Sequence, residues 1–490
     1  MLAVPAPLEG SSLLKDELFI GGEWVPSSDG ARFDVADPAT SLPLAHVAAA
    51  TPEDVSHAIG AAADAFPAWS ALPATERATI LRRWHDLVLE HVDELAAILT
   101  AEQGKPLREA IGEIRYGAGF IEWFAEEGKR LYGETIPTNA SGRRVLTIRQ
   151  PVGVAAAITP WNFPMAMIAR KAGPALAAGC TLVIKPASET PCSALALAEL
   201  ARRAGLPPGV LNVVVGDAAM IGDVITGSPA VRALSFTGST EVGRLLLAKC
   251  AATVKKVALE LGGNAPLIVF DDADLELALA GAIASKFRNA GQTCVCANRI
   301  LVQSGIHDAF VGRLEAAVRA LRVGNGFDDG VDQGPLISQD ALRKVEQHIA
   351  DAVDRGARAT VGGAPHERGG TFFEPTVLLG ATAEMRIASE ETFGPVAPVF
   401  RFETEEEAVA LANSTESGLA AYFFTRDLGR AWRVGEALEF GVVGLNTGLI
   451  SYEGAPFGGV KQAGLGREGS RHGIDEYLDY KYLCVEGIDP

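Results

Sequence analysis

The chain has 490 residues, 48% of them hydrophobic and 21% charged, with a formal net charge of −18. That length exceeds a single hydrophobic core, so two or three domains of ordinary globular composition are expected, not a disordered chain. The negative balance argues against a nucleic-acid or anionic-membrane surface, which needs clustered Lys and Arg, but it leaves room for an anionic small molecule in a pocket of opposite sign.

Residues 19–25 and 33–37 read as short strands joined by Gly and Ser turns. From 52 to 127 the pattern is helical, punctuated at Pro67, Pro73 and Gly104-Lys105-Pro106. Residues 143–150 alternate like a strand. The uncharged stretch 150–169 is interrupted by Pro151, Gly153, Pro160, Asn162 and Pro164 and closed by Arg149 and Arg170. A buried strand and a turn fit it better than a membrane span.

The rhythm then changes to strand and helix in turn. Strands are expected at 152–158, 181–184, 211–215, 231–236 and 256–261, and helices at 165–178, 193–204 and 241–251. Short apolar strands between helices imply a parallel sheet covered on both faces, hence an α/β fold. A second series begins with a strand at 266–270 and continues with helices near 273–290, 307–321 and 341–355. Residues 477–483 read as a final strand, able to pair with 143–150 or with another subunit.

Six cysteines without framework spacing suggest a reducing compartment, and residues 1–10 lack the pattern of a secretory leader, so a cytoplasmic location is expected. The eight histidines show no i, i+4 ligand pair and there is no CxxC motif, so no metal site is expected.

The most informative stretch is Gly291-Gln292-Thr293-Cys294-Val295-Cys296-Ala297-Asn298-Arg299. It holds Cys294 in a glycine-led turn directly after a helical pattern, as a nucleophile needs. Upstream, Glu260 is a lone carboxylate at the end of an apolar strand, a candidate base for covalent catalysis. A free thiol ionises near pH 8.5, so Cys294 needs local stabilisation to act near neutrality. Cys180, Cys192, Cys250 and Cys484 read as inert, while Cys296 is either passive or a redox partner for Cys294.

Other motifs are weaker alone. Gly464-Leu465-Gly466-Arg467-Glu468-Gly469 matches a dinucleotide glycine pattern but lacks a preceding strand and a following helix. Phe236-Thr237-Gly238-Ser239-Thr240 follows a strand and opens a helix, so it offers either an anion site or a plain helix cap at Ser239 or Thr240. Lys185 stands at the carboxyl end of a strand, where ligands sit in such sheets. Asn162, held between Pro160-Trp161 and Phe163-Pro164, offers a rigid amide for a developing oxyanion, or simply a structural turn.

Taken together with Lys185-Pro186-Ala187, Glu260-Leu261-Gly262-Gly263-Asn264, Glu391-Thr392-Phe393-Gly394-Pro395 and Pro456-Phe457-Gly458-Gly459, these motifs resemble the aldehyde dehydrogenase family in order and across nearly the whole chain. The resemblance implies a Rossmann-like cofactor domain (1–141 and 151–262), a catalytic domain (263–470) and a small β oligomerisation arm (142–150 and 471–490) that makes a homodimer or homotetramer. It also implies roles for single residues. Cys294 would attack the aldehyde, Asn162 would hold the oxyanion, and Glu260 would activate water. Thr159, Pro160, Trp161, Lys185, Ser188, Gly216, Gly238, Ser239, Val242, Leu261, Glu391 and Phe393 would contact a nicotinamide dinucleotide.

Many NAD-using relatives carry a carboxylate where Ser188 stands, so NADP is favoured slightly over NAD. The stretches Lys286–Ala290, Cys294–Arg299 and Gly448–Ser451 are similar to the succinate-semialdehyde dehydrogenases. That similarity implies that Arg170, Arg288 and Ser451 bind the far carboxylate of a short aldehyde. Tyr452-Glu453 departs from the relatives' pattern and keeps glutarate semialdehyde open.

Overall fold

A computed structural model describes residues 2–487. Residues 488–490, assigned above to the arm, lie outside the described residues.

The first sheet is built around Val154–Ile158. Thr181–Lys185 and Leu211–Val213 add to one side of it, then Val231–Thr237 and Lys256–Glu260 to the other, all five parallel. Val154–Ile158 and Thr181–Lys185 are buried at every residue. This is why they read as unbroken apolar runs and not as alternation. The strand order reverses between Val154–Ile158 and Val231–Thr237, and in open α/β sheets a ligand crevice opens at the carboxyl ends of such a pair. The Thr159–Asn162 turn and the Gly238-Ser239 turn leave the sheet at that point.

Antiparallel strands flank the five. Leu18–Ile20 and Glu23–Val25 complete one edge, and Gly464–Leu465 pairs with Lys256–Glu260 on the other. The glycine pattern at 464–469 is therefore an edge strand and its following turn.

The helical stretch 52–127 resolves into Pro52–Ala71, Ala74–Glu90, Val92–Gln103 and Leu107–Glu127. Pro73 and Gly104-Lys105-Pro106 break it as expected, but Pro67 lies inside the first helix. Thr51 starts that helix with a capping box to Asp54. At the start of helix Cys192–Arg203 the cap comes from far away. The fully buried Glu102 carboxylate accepts from Cys192 N at 2.7 Å and Ser193 N at 2.9 Å.

The second sheet runs Arg358–Val361, Thr376–Leu379, Val396–Phe402, Ala297–Gln303, Ala265–Val269, Ala420–Phe424, Val442–Leu445, parallel except at Arg358–Val361. Only Ala265–Val269 matches an expected strand. The others are short, and a short apolar run has no period that separates strand from buried helix. A third sheet pairs Leu478–Glu486 antiparallel with Arg143–Pro151, which also carries Glu134–Ile136 on its other side. Residues 150–169 form a strand, a turn and the start of helix Ala166–Ala178, and no helix among the described residues is long and apolar enough to cross a membrane.

Replacing Glu102 with Ala strands two buried amides at a helix start. It is expected to lower the thermal midpoint by roughly 2–4 °C, measured by differential scanning calorimetry. An unchanged midpoint would mean that those amides find other acceptors.

Candidate active site

The helix that leads to Cys294 is Leu275–Lys286, which stops four residues before the expected end. Asn289 (φ 51°) and Ala290 (φ 53°) then take the left-handed conformation, rare for residues with a side chain. Hydrogen bonds hold them there. Asn289 N donates to Glu109 Oε2 at 2.8 Å, and Asn289 Nδ2 donates to the carbonyl oxygens of Asn162 and Gln292 at 3.0 and 3.2 Å. The hook turns the chain back so that Cys294 faces the end of the first sheet. Gly263 makes room for it, because a Cβ there would meet the Cys294 carbonyl oxygen at 2.1 Å.

Asn162 is buried, and its Nδ2 donates to Gln292 O at 3.0 Å. An amide nitrogen has two protons, so one stays available for a ligand oxygen. The turn that carries it is held from below. The Lys105 ammonium, fully buried, donates to Asn162 O at 2.7 Å, pairs with Glu113 at 2.6 Å and sits 3.8 Å from the centre of the Phe163 ring. Glu113 also accepts from Met165 N and Ala166 N at 3.0 and 3.2 Å, capping helix Ala166–Ala178.

Cys294 lies in the wall between two cavities. The first, of about 290 Å³, opens at the switch point of the first sheet. Of the expected cofactor residues, Pro160, Trp161, Gly238, Ser239, Leu261, Glu391 and Phe393 line it, together with Asn162. The Trp161 and Phe393 rings meet edge to face at 5.4 Å, with Phe393 held at φ 56°. Ser239 caps helix Thr240–Ala251 by accepting from Val242 N at 3.3 Å, so the plain cap is realised, and it still borders the cavity.

Thr159, Lys185, Ser188, Gly216 and Val242 fall outside that wall. Thr159 and Lys185 are buried side by side at adjacent strand ends. Ser188 donates to Gly216 O at 3.0 Å, and Val242 is exposed. Thr237, Gly262 and Thr392, members of the motifs singled out in the sequence, also line the cavity, and Lys344 and Ala341 join them from outside any motif. Lys344 sits mid-helix, where nothing in its neighbours distinguishes it from a solvated lysine.

The second cavity, of about 300 Å³, contains all three expected anion-binding residues, Arg170, Arg288 and Ser451. Arg170 is 2% exposed, lies 4.1 Å from the Phe457 ring centre and is 2.8 Å from Glu468 Oε2. Burial works against its charge, and Glu468 more than offsets that. Arg288 lies over the Phe163 ring at 5.3 Å. Helix Leu107–Glu127 supplies Glu109, Gly112, Glu113 and Tyr116 at helical spacing, none of them expected. Tyr452 is exposed, and Glu453 packs against helix position Gly119. Neither belongs to the cavity wall, although their neighbour Ser451 does.

Glu260 belongs to the wall of neither cavity. Its carboxylate is buried beside Gly458 with Oε2 lacking a hydrogen-bond partner. Burial, then the neighbouring Glu468, push its pKa well above the usual carboxylate range, with Arg170 and Lys171 working the other way. The Cys294 thiol is pushed up to about 12 by burial and by Glu391, with Glu260 adding to the shift. Burial thus works against the charged form of both groups. Glu391 itself is raised to about 7 by burial, with Lys344 opposing. Cys296 donates its thiol to Gly291 O at 3.3 Å and lies 3.5 Å from the buried Lys286 ammonium. Cys180, Cys192 and Cys250 are buried free thiols, and Cys484 is an exposed one. Among the described residues no cluster of three His, Cys, Asp or Glu side chains could hold a metal ion.

A thiol is shared by a switch-point crevice and a separate cation-lined cavity, and the chain matches the aldehyde dehydrogenase family model over residues 24–483 and belongs to that family of oxidoreductases. It is 60% identical to an NADP(+) succinate-semialdehyde dehydrogenase of Escherichia coli over 98% of this chain and 99% of that one. It is 58% identical to a glutarate-semialdehyde dehydrogenase of Pseudomonas aeruginosa, over 98% of this chain and all of the relative. Among solved structures, a succinate-semialdehyde dehydrogenase from Burkholderia pseudomallei superposes with a TM-score of 0.96 at 61% identity, covering 97% of this chain and 99% of the other.

Because the thiol is raised, its thiolate fraction should grow about ten-fold per pH unit through the neutral and alkaline range. Alkylation of Cys294 by iodoacetamide, followed by mass spectrometry between pH 7 and 10, should rise in the same way. A plateau below pH 9 would show that the thiolate is stabilised in place.

Proposed function

We propose that the protein oxidises succinate semialdehyde to succinate with NADP or NAD through a thioester on Cys294. The observation that carries this reading is the position of Cys294, with a nucleotide-type crevice on one side and Arg170, Arg288 and Ser451 on the other. Arginine forks suit carboxylates, and here Arg170 is buried and Arg288 half-buried, so both are partly withdrawn from water.

The first cavity fits a nicotinamide dinucleotide. It offers aromatic rings, an acceptor carboxylate at Glu391 for sugar hydroxyls, the Lys344 ammonium and the start of helix Thr240–Ala251. When bound, the cofactor supplies the hydride acceptor. Lys185, Ser188 and Gly216 would serve its distant end, with Thr159 and Val242 beside it. Ser188 brings no charge against a 2′-phosphate, and the Escherichia coli relative is an NADP(+) enzyme, so NADP is favoured.

Cys294 sulfur attacks the aldehyde carbon, and the developing oxyanion takes hydrogen bonds from Asn162 Nδ2 and the Cys294 backbone N–H. After oxidation the sulfur carries the acyl group. Glu260 then accepts a proton from the water that attacks the acyl carbon, and the carbon–sulfur bond breaks to release the acid and return Cys294; this requires the Glu260 carboxylate to ionise and turn from Gly458 toward the acyl carbon. Residues 1–141 and 151–262 form the cofactor domain and 263–470 the catalytic domain. Residues 142–150 and 471–490 join subunits into a homodimer or homotetramer, and the protein works in the cytoplasm.

Glutarate semialdehyde is the second reading. It is favoured by open space at Gly112 in the cavity wall, where a Cβ would meet nothing within 4 Å.

Initial rates of NAD(P)H formation with succinate semialdehyde, glutarate semialdehyde and hexanal, each with NAD and NADP, test the proposal. The four-carbon semialdehyde with NADP is expected to give the highest kcat/KM. A preference for hexanal would remove the carboxylate reading while leaving the family untouched. Glu260→Gln should retain a single-turnover burst of NAD(P)H and then turn over at least about 100-fold more slowly. Undiminished steady turnover would show that another group activates water.

A further inference from the structure

The second cavity holds buried polar atoms without a partner inside the free protein, two on its arginines and one on a residue outside the expected three. Arg170 Nη2, Arg288 Nε and Tyr116 Oη are all buried and lack a hydrogen-bond partner. Buried donors without acceptors are costly, so a group of this kind is expected to be met when the site is filled. Arg170 has already committed other atoms, its Nε to the ion pair with Glu468 at 2.8 Å and its Nη1 to a 3.9 Å contact with Met167 sulfur. Nη2 is the atom left over.

Tyr116 is the unexpected member of this set. Its ring is fixed edge to face on Phe120 at 5.0 Å and 80°, on the cavity-facing side of helix Leu107–Glu127. The ring is partly buried, and its hydroxyl lies in the field of Arg170 and Arg288, with Ser451 beside it but not in a completed hydrogen bond. The two acidic members of the same helix face are already engaged, Glu109 by Asn289 N at 2.8 Å and Glu113 by Lys105 at 2.6 Å.

We infer that Tyr116 is a specificity-determining residue, donating its hydroxyl proton to the distal anionic group of the substrate alongside Arg170, Arg288 and Ser451. This rests on the reading of the second cavity as a carboxylate site. A neutral, rigid donor adds what the arginines lack. A hydroxyl on a fixed ring adds one directed donor at a set position, beside the charge and the fork geometry of the guanidinium groups. The anion meets donors from a helix, a loop and the Phe457-backed arginine, so it is gripped from several directions.

Tyr116→Phe keeps the ring and its packing and removes only the donor. Two measurements test it. In the first, kcat and KM are compared for succinate semialdehyde and for butanal, a four-carbon aldehyde with no distal anion. The expected result is a KM for succinate semialdehyde raised about ten-fold or more, kcat within about two-fold, and a KM for butanal shifted less than about two-fold. In the second, succinate and glutarate protect Cys294 from iodoacetamide at fixed pH. The concentration giving half-protection should rise about ten-fold in Tyr116→Phe.

Equal protection of the variant and the parent would overturn the role of Tyr116 while the carboxylate reading stands. Equal KM increases for both aldehydes would overturn it too, since they would mark a packing defect. If neither dicarboxylate protects the parent enzyme, the carboxylate reading falls and the inference falls with it.

Discussion

The site hangs on one buried cation. Lys105, with no exposed side-chain surface, joins the helical layer to the Asn162 turn through Glu113 and the Asn162 carbonyl. Taking a charge pair out of water is expensive, and breaking a buried pair by removing one partner costs more than the pair itself contributes. That asymmetry makes the arrangement hard to leave. Glu113 spends its second oxygen on the first amides of helix Ala166–Ala178, so one carboxylate fixes the start of the helix that carries Arg170. The Asn162 carbonyl also receives Asn289, which holds the left-handed hook before Cys294. Asn162, Cys294 and Arg170 are thus referenced to a single ion pair.

Around this frame the charges are arranged against their own ionisation. Cys294, Glu260 and Glu391 all lie where burial favours the neutral form. Nearby, Glu468 is kept charged by Lys171 and Arg170 in spite of burial. A neutral thiol is also slow to react with stray electrophiles. The chemistry is then gated by what enters the cavities, because an incoming ligand changes the dielectric surroundings and supplies the partners that the orphaned polar atoms lack.

Much of this was legible in the residues. The five central strands of the first sheet were visible because both faces are covered, so burial writes itself as apolar runs between helices. The second sheet was nearly invisible, since strands such as Thr376–Leu379 and Val442–Leu445 are too short to show a period. Motif residues fall beside the cavities where backbone geometry demands particular side chains, as at Gly263 and Asn162. Tyr116 and Lys344 could not be found this way. They reach their cavities from helices whose spacing looks like any amphipathic face, and only the fold reveals what that face meets. The orientation of Glu260 was likewise beyond reach, because a strand end specifies where a carboxylate starts and not where it points.

The sheet edges have a consequence for how the protein is made. Lys256–Glu260, the strand that ends in the candidate base, gains its outer neighbour from Gly464–Leu465, and Arg143–Pro151 gains its partner from Leu478–Glu486. Both pairings span more than two hundred residues. During synthesis one edge of the first sheet, and one side of Arg143–Pro151 in the third, therefore wait open while the whole second sheet is produced. Such edges are places where nascent chains associate wrongly, and closing them over so long a loop is slow. The crevice and the nucleophile belong to different halves of the chain, and the half made first is the one left exposed longest.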